Sequence, residues 1–248
     1  MCNALYRQGQ AASHSRITFT ADGMQLAGTL YLPPVPDVNR IVIGCHGLLS
    51  NRTSPKQASL ARRCNDHGIA YLAFDHRGCG ESDGDFLAVT TLAGRCRDLM
   101  AAVAWVRNNI DRNLDICLFG SSLGGTVCLA KAGDIQPAAV VTLAAPIRSA
   151  TLTISRQNME DTGNFKLSFY KDNLRFDISD RIAAVDHLLV VHGDADVTVP
   201  VFHGEEIHHL AGVPKKIIIQ KKGDHRLSLP AHQAQFMSAA VNWLSRAQ

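Results

Sequence analysis

The chain has 248 residues, 46% of them hydrophobic and 19% charged. That composition excludes intrinsic disorder, and the length allows a large core without disulfide staples. Its 25 basic and 22 acidic residues leave a formal net charge of +3, too balanced to point to nucleic acid or an acidic membrane as partner.

The opening MCNALYRQGQAASHS lacks the continuous apolar stretch of a secretory signal, and no later run approaches the length of a membrane span. The first strands are expected at 16–20 and 27–32, joined by the turn Ala21-Asp22-Gly23, before Pro33, Pro34 and Pro36 break the chain. Short apolar runs follow at 41–45, 70–74, 116–119, 138–143, 188–192 and 217–220. Uninterrupted runs of this length suit parallel strands buried on both faces. Helical patterns fall between them at 56–66, 92–108, 123–131, 201–210 and 232–246. In the second of these, Leu92, Cys96, Leu99, Val103 and Val106 recur at helical spacing. Alternation of this kind predicts an α/β fold: a mostly parallel, eight-stranded sheet with helices on both faces. No repeat or linker divides the chain, so residues 1–248 are expected to form one domain.

One segment breaks the rhythm. Residues 147–181 are polar and carry no clear strand, which suggests a small functional insertion such as a lid. The alternative is a plain helix with connecting loops. Among the seven cysteines, Cys45, Cys117 and Cys128 sit in apolar runs and read as core residues. Cys79 and Cys96 have more polar neighbours, where ordinary packing still outweighs a reactive thiol. The cysteine count is odd and includes no C-x-x-C pair, and without a signal or a span the default expectation is a soluble, reducing, cytoplasmic setting.

A serine becomes a nucleophile only when a base takes its proton and a sharp turn lifts it clear of the sheet. The pattern G-x-S-x-G supplies such a turn, and it occurs twice. Gly80-Glu81-Ser82-Asp83-Gly84 follows a polar turn and enters no helix. Gly120-Ser121-Ser122-Leu123-Gly124 follows the strand Ile116-Cys117-Leu118-Phe119 and opens a helix. Ser122 is therefore the expected nucleophile, Ser82 a turn residue, and Ser121 a neighbour without correctly spaced glycines.

Eleven histidines are present. The group His203, Glu205, Glu206, His208 and His209 fits no helical zinc spacing and reads as a solvated helix face. His225, in Gly223-Asp224-His225, lies just past an apolar strand, where sites form at the carboxyl ends of parallel strands. In His192-Gly193-Asp194-Ala195-Asp196, either Asp194 or Asp196 can orient its imidazole. The chain order Ser, Asp, His is that of α/β-hydrolases. One oxyanion donor is expected at the N–H of Leu123, and the second in the loop Cys45-His46-Gly47-Leu48.

Taken together, the chain resembles the α/β-hydrolase superfamily, in detail the small-capped esterases related to cinnamoyl and feruloyl esterases and to serine aminopeptidase-like hydrolases. The carrying residues are Thr20-Ala21-Asp22-Gly23, Leu26-Ala27-Gly28-Thr29-Leu30, His46-Gly47-Leu48, Asp75-His76-Arg77-Gly78-Cys79-Gly80-Glu81-Ser82-Asp83-Gly84, the segment 120–124, the segment 192–200 and Gly223-Asp224-His225. The resemblance implies Asp196 as the acid, Asp194 as a turn residue and the N–H of Leu48 as the second oxyanion donor. This chain has Leu48 where the family often has an aromatic residue. The resemblance also implies that 147–181 caps the nucleophile. Its Phe165, Phe169, Tyr170 and Phe176, with Met159 nearby, then line an apolar pocket, or else pin the cap to the sheet.

The expected function is hydrolysis of a carboxylic ester with a small or medium apolar or aromatic acyl group, through an acyl-enzyme. A thioesterase or an amidase or peptidase would use the same residues, and a non-catalytic ligand-binding protein is the remaining alternative. Ser at the elbow argues against dehalogenases and epoxide hydrolases, which use Asp. The expected partner is a small-molecule ester, with no nucleic acid, membrane, cofactor or metal. The oligomeric state is open, a homodimer being one option.

Overall fold

The computed structural model describes residues 13–35, 38–152, 169 and 172–246. The strands are β1 (Ser13–Ala21), β2 (Met24–Leu32), β3 (Arg40–Cys45), β4 (Ala70–Phe74), β5 (Asp115–Ser121), β6 (Ala139–Leu143), β7 (Leu188–Gly193) and β8 (Lys215–Gln220). They form one eight-stranded sheet in the order β1-β2-β4-β3-β5-β6-β7-β8. From β4 to β8 every neighbouring pair is parallel, and β2 runs antiparallel to both of its neighbours.

Alternation along each strand feeds two cores. Ile41, Ile43, Leu72, Leu118, Val140 and Val190 point to one face, where they meet the helices α3 (Leu92–Asn109), α4 (Leu123–Ile135) and α5 (Phe202–Leu210). Val42, Tyr71, Cys117, Phe119, Val141 and Leu189 point to the other, against α1 (Pro55–Asp66) and α6 (Pro230–Arg246). Burial on both faces is why these strands are apolar without interruption. The outer strands β1 and β8 are half exposed, and their sequences are correspondingly more polar.

Boundaries differ in small ways from the sequence pattern. The strand β1 starts at Ser13, because its register with β2 continues to the pair Ser13–Leu32. The helix α4 continues to Ile135 and stops at Gln136, whose φ of 52° is left-handed. A short helix α2 (Phe86–Val89) escaped the periodicity argument because it is a single turn, started by the Asp85 side chain accepting from the Ala88 N–H at 3.0 Å.

The interrupting segment leaves and returns through one stem. Ile178 N–H donates to the Ile147 carbonyl at 3.0 Å, Ser149 N–H to the Phe176 carbonyl at 2.9 Å, and Arg148 pairs with Asp177 in an antiparallel bridge. A 3₁₀ turn at Ser179–Ala184 then leads back to β7. No helix among the described residues is long and apolar enough to cross a membrane.

Candidate active site

Ser122 follows β5 and caps the start of α4 with φ 53° and ψ −126°, a conformation that L-residues adopt only under constraint. Its surroundings supply the constraint. The Ser122 N–H donates to the Leu143 carbonyl at 2.8 Å, tying the turn to β6. A Cβ on Gly120 would run into the backbone of Gly124 and Gly125, and one on Gly124 into the carbonyl of Cys45. Both glycines are needed because three backbones meet here without side chains between them.

The nucleophile candidate faces a histidine. His225 Nε2 lies 3.1 Å from Ser122 Oγ, and His225 Nδ1 lies 2.7 Å from Asp196 Oδ2. These groups come from the loops after β5, β8 and β7, all at the carboxyl edge of the sheet. The second carboxylate oxygen of Asp196 accepts from the N–H groups of Thr198 and Val199 at 2.9 and 2.8 Å, which fixes its plane. Burial pushes the Asp196 carboxyl up, but hydrogen bonding to His192 and His225 outweighs this and holds it well below the usual carboxylate range. Asp194, by contrast, accepts from the Lys222 N–H and shapes the turn after β8. Ser82 Oγ is occupied by the Asp75 carbonyl and the Ala27 N–H, at 2.7 and 3.0 Å. Ser121 lines the cavity beside Ser122 without the elbow geometry.

The loop 46–48 crosses directly over the elbow, so that a Cβ on Gly47 would sit 3.6 Å from the Ser122 Cβ. Leu48 and Leu123 both border the cavity above Ser122. Leu123 is the first residue of α4, so its N–H has no carbonyl four residues back within the helix. A fully buried Arg95 holds the loop from below: Nη2 donates to the Leu48 carbonyl at 3.0 Å and Nη1 to the Gly47 carbonyl at 3.3 Å. His46 Nε2 accepts from the His76 N–H at 3.0 Å. Burial, and then the nearby His76 and Arg95, push the His46 imidazole well below its ordinary value and keep it neutral, as an acceptor must be.

The cavity over Ser122 has a volume of 780 Å³. Leu48, Leu123, Leu152, Leu174, Phe176 and Val199 form an apolar wall, and Gln57, Lys56, Arg226 and Gln233 a polar one. Of the four aromatics expected to line it, Phe176 does so. Phe169 is buried instead against Leu123 and Leu174, and its ring tilts against that of Phe86 with centroids 5.6 Å apart. Phe165 and Tyr170, with Met159, lie outside the described residues.

A family model described as serine aminopeptidase, S33, matches residues 36–170. The YfhR protein of Salmonella typhimurium is 32% identical over 235 residues, spanning 90% of this chain and 78% of that protein. This chain belongs to the S33 serine aminopeptidase family. It is thus a hydrolase-family member of the α/β-hydrolase superfamily. The esterase Est1E of Butyrivibrio proteoclasticus, solved with ferulic acid, shares the fold with a TM-score of 0.77 at 20% identity, over 93% of this chain and 98% of that one. The α/β-hydrolase GrgF of a Penicillium species does so with a TM-score of 0.79 at 20% identity, over 95% and 99%. Mouse palmitoyl-protein thioesterase ABHD10 is 28% identical over 75% of this chain and 69% of that protein.

In this S33-family chain, motif reasoning did not single out Arg52, Arg95 or Asp98, or the pairings of Asp75 and Arg77. Asp75 and Asp98 are fully buried and ion-paired, with Arg52 and with Arg77 at 2.7 Å respectively. They brace the loop after β4, on which His46 rests. Arg95 and Asp98 lie on the apolar stripe of α3, and charged residues in such a stripe are the signal that was available. Of the group read as a solvated helix face, Glu205 and His209 are exposed as expected, and His203 is the correction. His203 is fully buried, its Nδ1 accepts from the Ile147 N–H at 3.2 Å, and Glu206 is gripped by Arg148, because the stem at 147–149 lies across α5. Among the described residues no group of three or more His, Cys, Asp or Glu is placed to hold a metal ion. Burial pushes the Cys79 thiol up, and the Cys96 thiol up to about 11, so neither is an activated thiolate.

Proposed function

We propose that this protein is a serine esterase of the carboxylesterase class that works through an acyl-enzyme. The observation that carries the reading is the continuous chain from Ser122 Oγ through His225 to the buried Asp196 carboxylate, at 3.1 and 2.7 Å. Ser122 Oγ attacks the ester carbonyl carbon while His225 Nε2 takes its proton. The oxygen that gains charge is held by the N–H groups of Leu48 and Leu123. Collapse expels the alcohol, which receives the proton from His225 and leaves an acyl-Ser122 ester. Water, deprotonated by His225, then attacks that ester; the imidazolium returns the proton to Ser122 Oγ as it departs, releasing the acid and free Ser122. Asp196 remains ionised throughout and stabilises the imidazolium.

The apolar wall of Leu152, Leu174 and Phe176 supports a small or medium apolar or aromatic acyl group. A thioester or an amide would meet the same groups, so a panel of chromogenic esters of graded acyl size, with a thioester and an anilide beside them, fixes the class. The direct test is labelling by a fluorophosphonate probe. We expect labelling and ester hydrolysis in the parent and in Ser82→Ala, and neither in Ser122→Ala. Labelling that persists in Ser122→Ala would overturn the reading.

A further inference from the structure

The polar wall of the cavity has no task in the reaction just described. Gln57 belongs to the first turn of α1, borders the cavity and is only 2% exposed. Its amide oxygen accepts from the buried Tyr71 hydroxyl, which orients the group and leaves the NH₂ to donate elsewhere. Yet Gln57 Nε2 is buried with no hydrogen-bond partner among the described residues. A Cβ on Gly44 would collide with both the Gln57 amide oxygen and the Tyr71 hydroxyl, so β3 leaves room for this pair. A buried, oriented and unused donor costs about 1–3 kcal/mol unless a partner arrives.

Positive charge stands beside it. Lys56, the neighbour of Gln57 on α1, and Arg226 also line the cavity. Lys56 Nζ and Gln233 Nε2 both donate to the Arg226 carbonyl, at 3.3 and 3.2 Å, which ties α1 and α6 to the loop that carries His225. The first turn of α1 contains no acidic residue, and its N-terminus adds partial positive charge. The nearest acid, Asp224, is turned to Ser228, whose N–H and hydroxyl it accepts at 2.6 Å each. Burial pushes the Lys56 ammonium down to about 8 despite Asp224, and a bound anion would relieve that.

We propose that this wall of the cavity is a carboxylate subsite, in which Gln57 Nε2 and Lys56 Nζ receive an anionic group at the far end of the ester substrate. The preferred substrate is then a half-ester of a dicarboxylic acid, or a similar ester bearing one carboxylate. The inference rests on the ester-hydrolase reading for turnover but not for binding. A charge-assisted hydrogen bond supports a preference of about tenfold.

The test compares monomethyl succinate, adipate and suberate with methyl butanoate, hexanoate and octanoate. The readout is the ratio of kcat/KM within each pair of equal length, which a general loss of stability leaves unmoved. We expect at least one pair to favour the half-ester by about tenfold or more. Lys56→Met and Gln57→Glu should bring that ratio to one or below; the second variant keeps an acceptor for the Tyr71 hydroxyl. Calorimetry of the same six compounds with Ser122→Ala reads binding without turnover. Turnover with no preference for any half-ester, or a preference that survives both variants, overturns the subsite. Tighter binding of a half-ester without turnover by the parent enzyme supports the subsite and overturns the esterase reading instead. No difference in binding within any pair also overturns the subsite.

Discussion

Arg95→Met tests whether the loop over the elbow is held by the guanidinium beneath it. Methionine keeps much of the buried apolar volume but removes the donors to the Leu48 and Gly47 carbonyls at 3.0 and 3.3 Å, and the contact with Cys79 Sγ at 3.3 Å. Hydrogen bonds from a charged donor contribute about 1.5–3 kcal/mol each. Against that, burial of the guanidinium is itself costly, and it pushes the Arg95 pKa below its ordinary value. We therefore expect a net loss of about 2–4 kcal/mol, or roughly 4–16 °C in Tm for a chain of this size. The functional effect is separate. If the carbonyls of 47 and 48 are free to turn, the Leu48 N–H loses its aim at the oxyanion, and loss of one such donor costs about 10²–10³ in kcat. Arg95→Lys restores one donor but not the fork, and should fall between. Melting curves and steady-state ester kinetics, run below the Tm of the variant, separate the two effects. A lower Tm with kcat within about threefold of the parent would refute the positioning role and leave Arg95 a structural brace.

Asp196→Asn should lower kcat by about 10⁴, as loss of the orienting carboxylate can in a serine triad, and Asp194→Asn by far less; steady-state kinetics reporting the reverse order would move the acid to Asp194. Burial, then His192 and Arg148, push His203 down to about 4 from an ordinary value of 6.5. The unfolded chain therefore takes up this proton first as pH falls, so the stability due to neutral His203 is complete above about 6.5 and is lost between there and about 4. A shift of this size puts the effect on the order of 1–3 kcal/mol, and urea titrations should show a shallower acid slope in His203→Gln; parallel slopes would count against it. Phe169→Ala should cost roughly 2–4 kcal/mol in stability without changing the ranking of esters, while Phe176→Ala should change the ranking; melting curves and the ester panel distinguish the two.

The sheet was legible because strands covered on both faces must be apolar at every position, so 41–45 and 70–74 announce themselves within five residues. The elbow was legible because G-x-S-x-G between an apolar strand and a helix is a local pattern, even though the contact that demands Gly124 comes from the carbonyl of Cys45, far away in the chain. The encounter of Ser122 with His225, 103 residues apart, was legible only through topology, since both follow strands whose ends share one edge. The braces were not. Arg52 with Asp75 and Arg77 with Asp98 are pairings between elements, and a charged residue in a loop has the same appearance in sequence whether it is solvated or buried. The burial of His203 was hidden on the same grounds, because the stem at 147–149 that covers it is not encoded in its helix. Nothing in the spacing around Gln57 marks it as an unpaired donor; that follows only from Tyr71 occupying its oxygen.

The backbone at Ser122 has a consequence for how robust this protein can become. A φ of 53° with ψ of −126° is uphill by about 1–3 kcal/mol for any residue with a Cβ, and glycine alone escapes most of that penalty. The most direct route to a sturdier chain thus runs through the residue proposed as nucleophile: Ser122→Gly would relax the elbow and delete its hydroxyl in one step. Selection for durability and selection for turnover pull on the same atom in opposite directions, and thermal hardening compatible with activity has to be sought elsewhere, in α6 or at the outer strands.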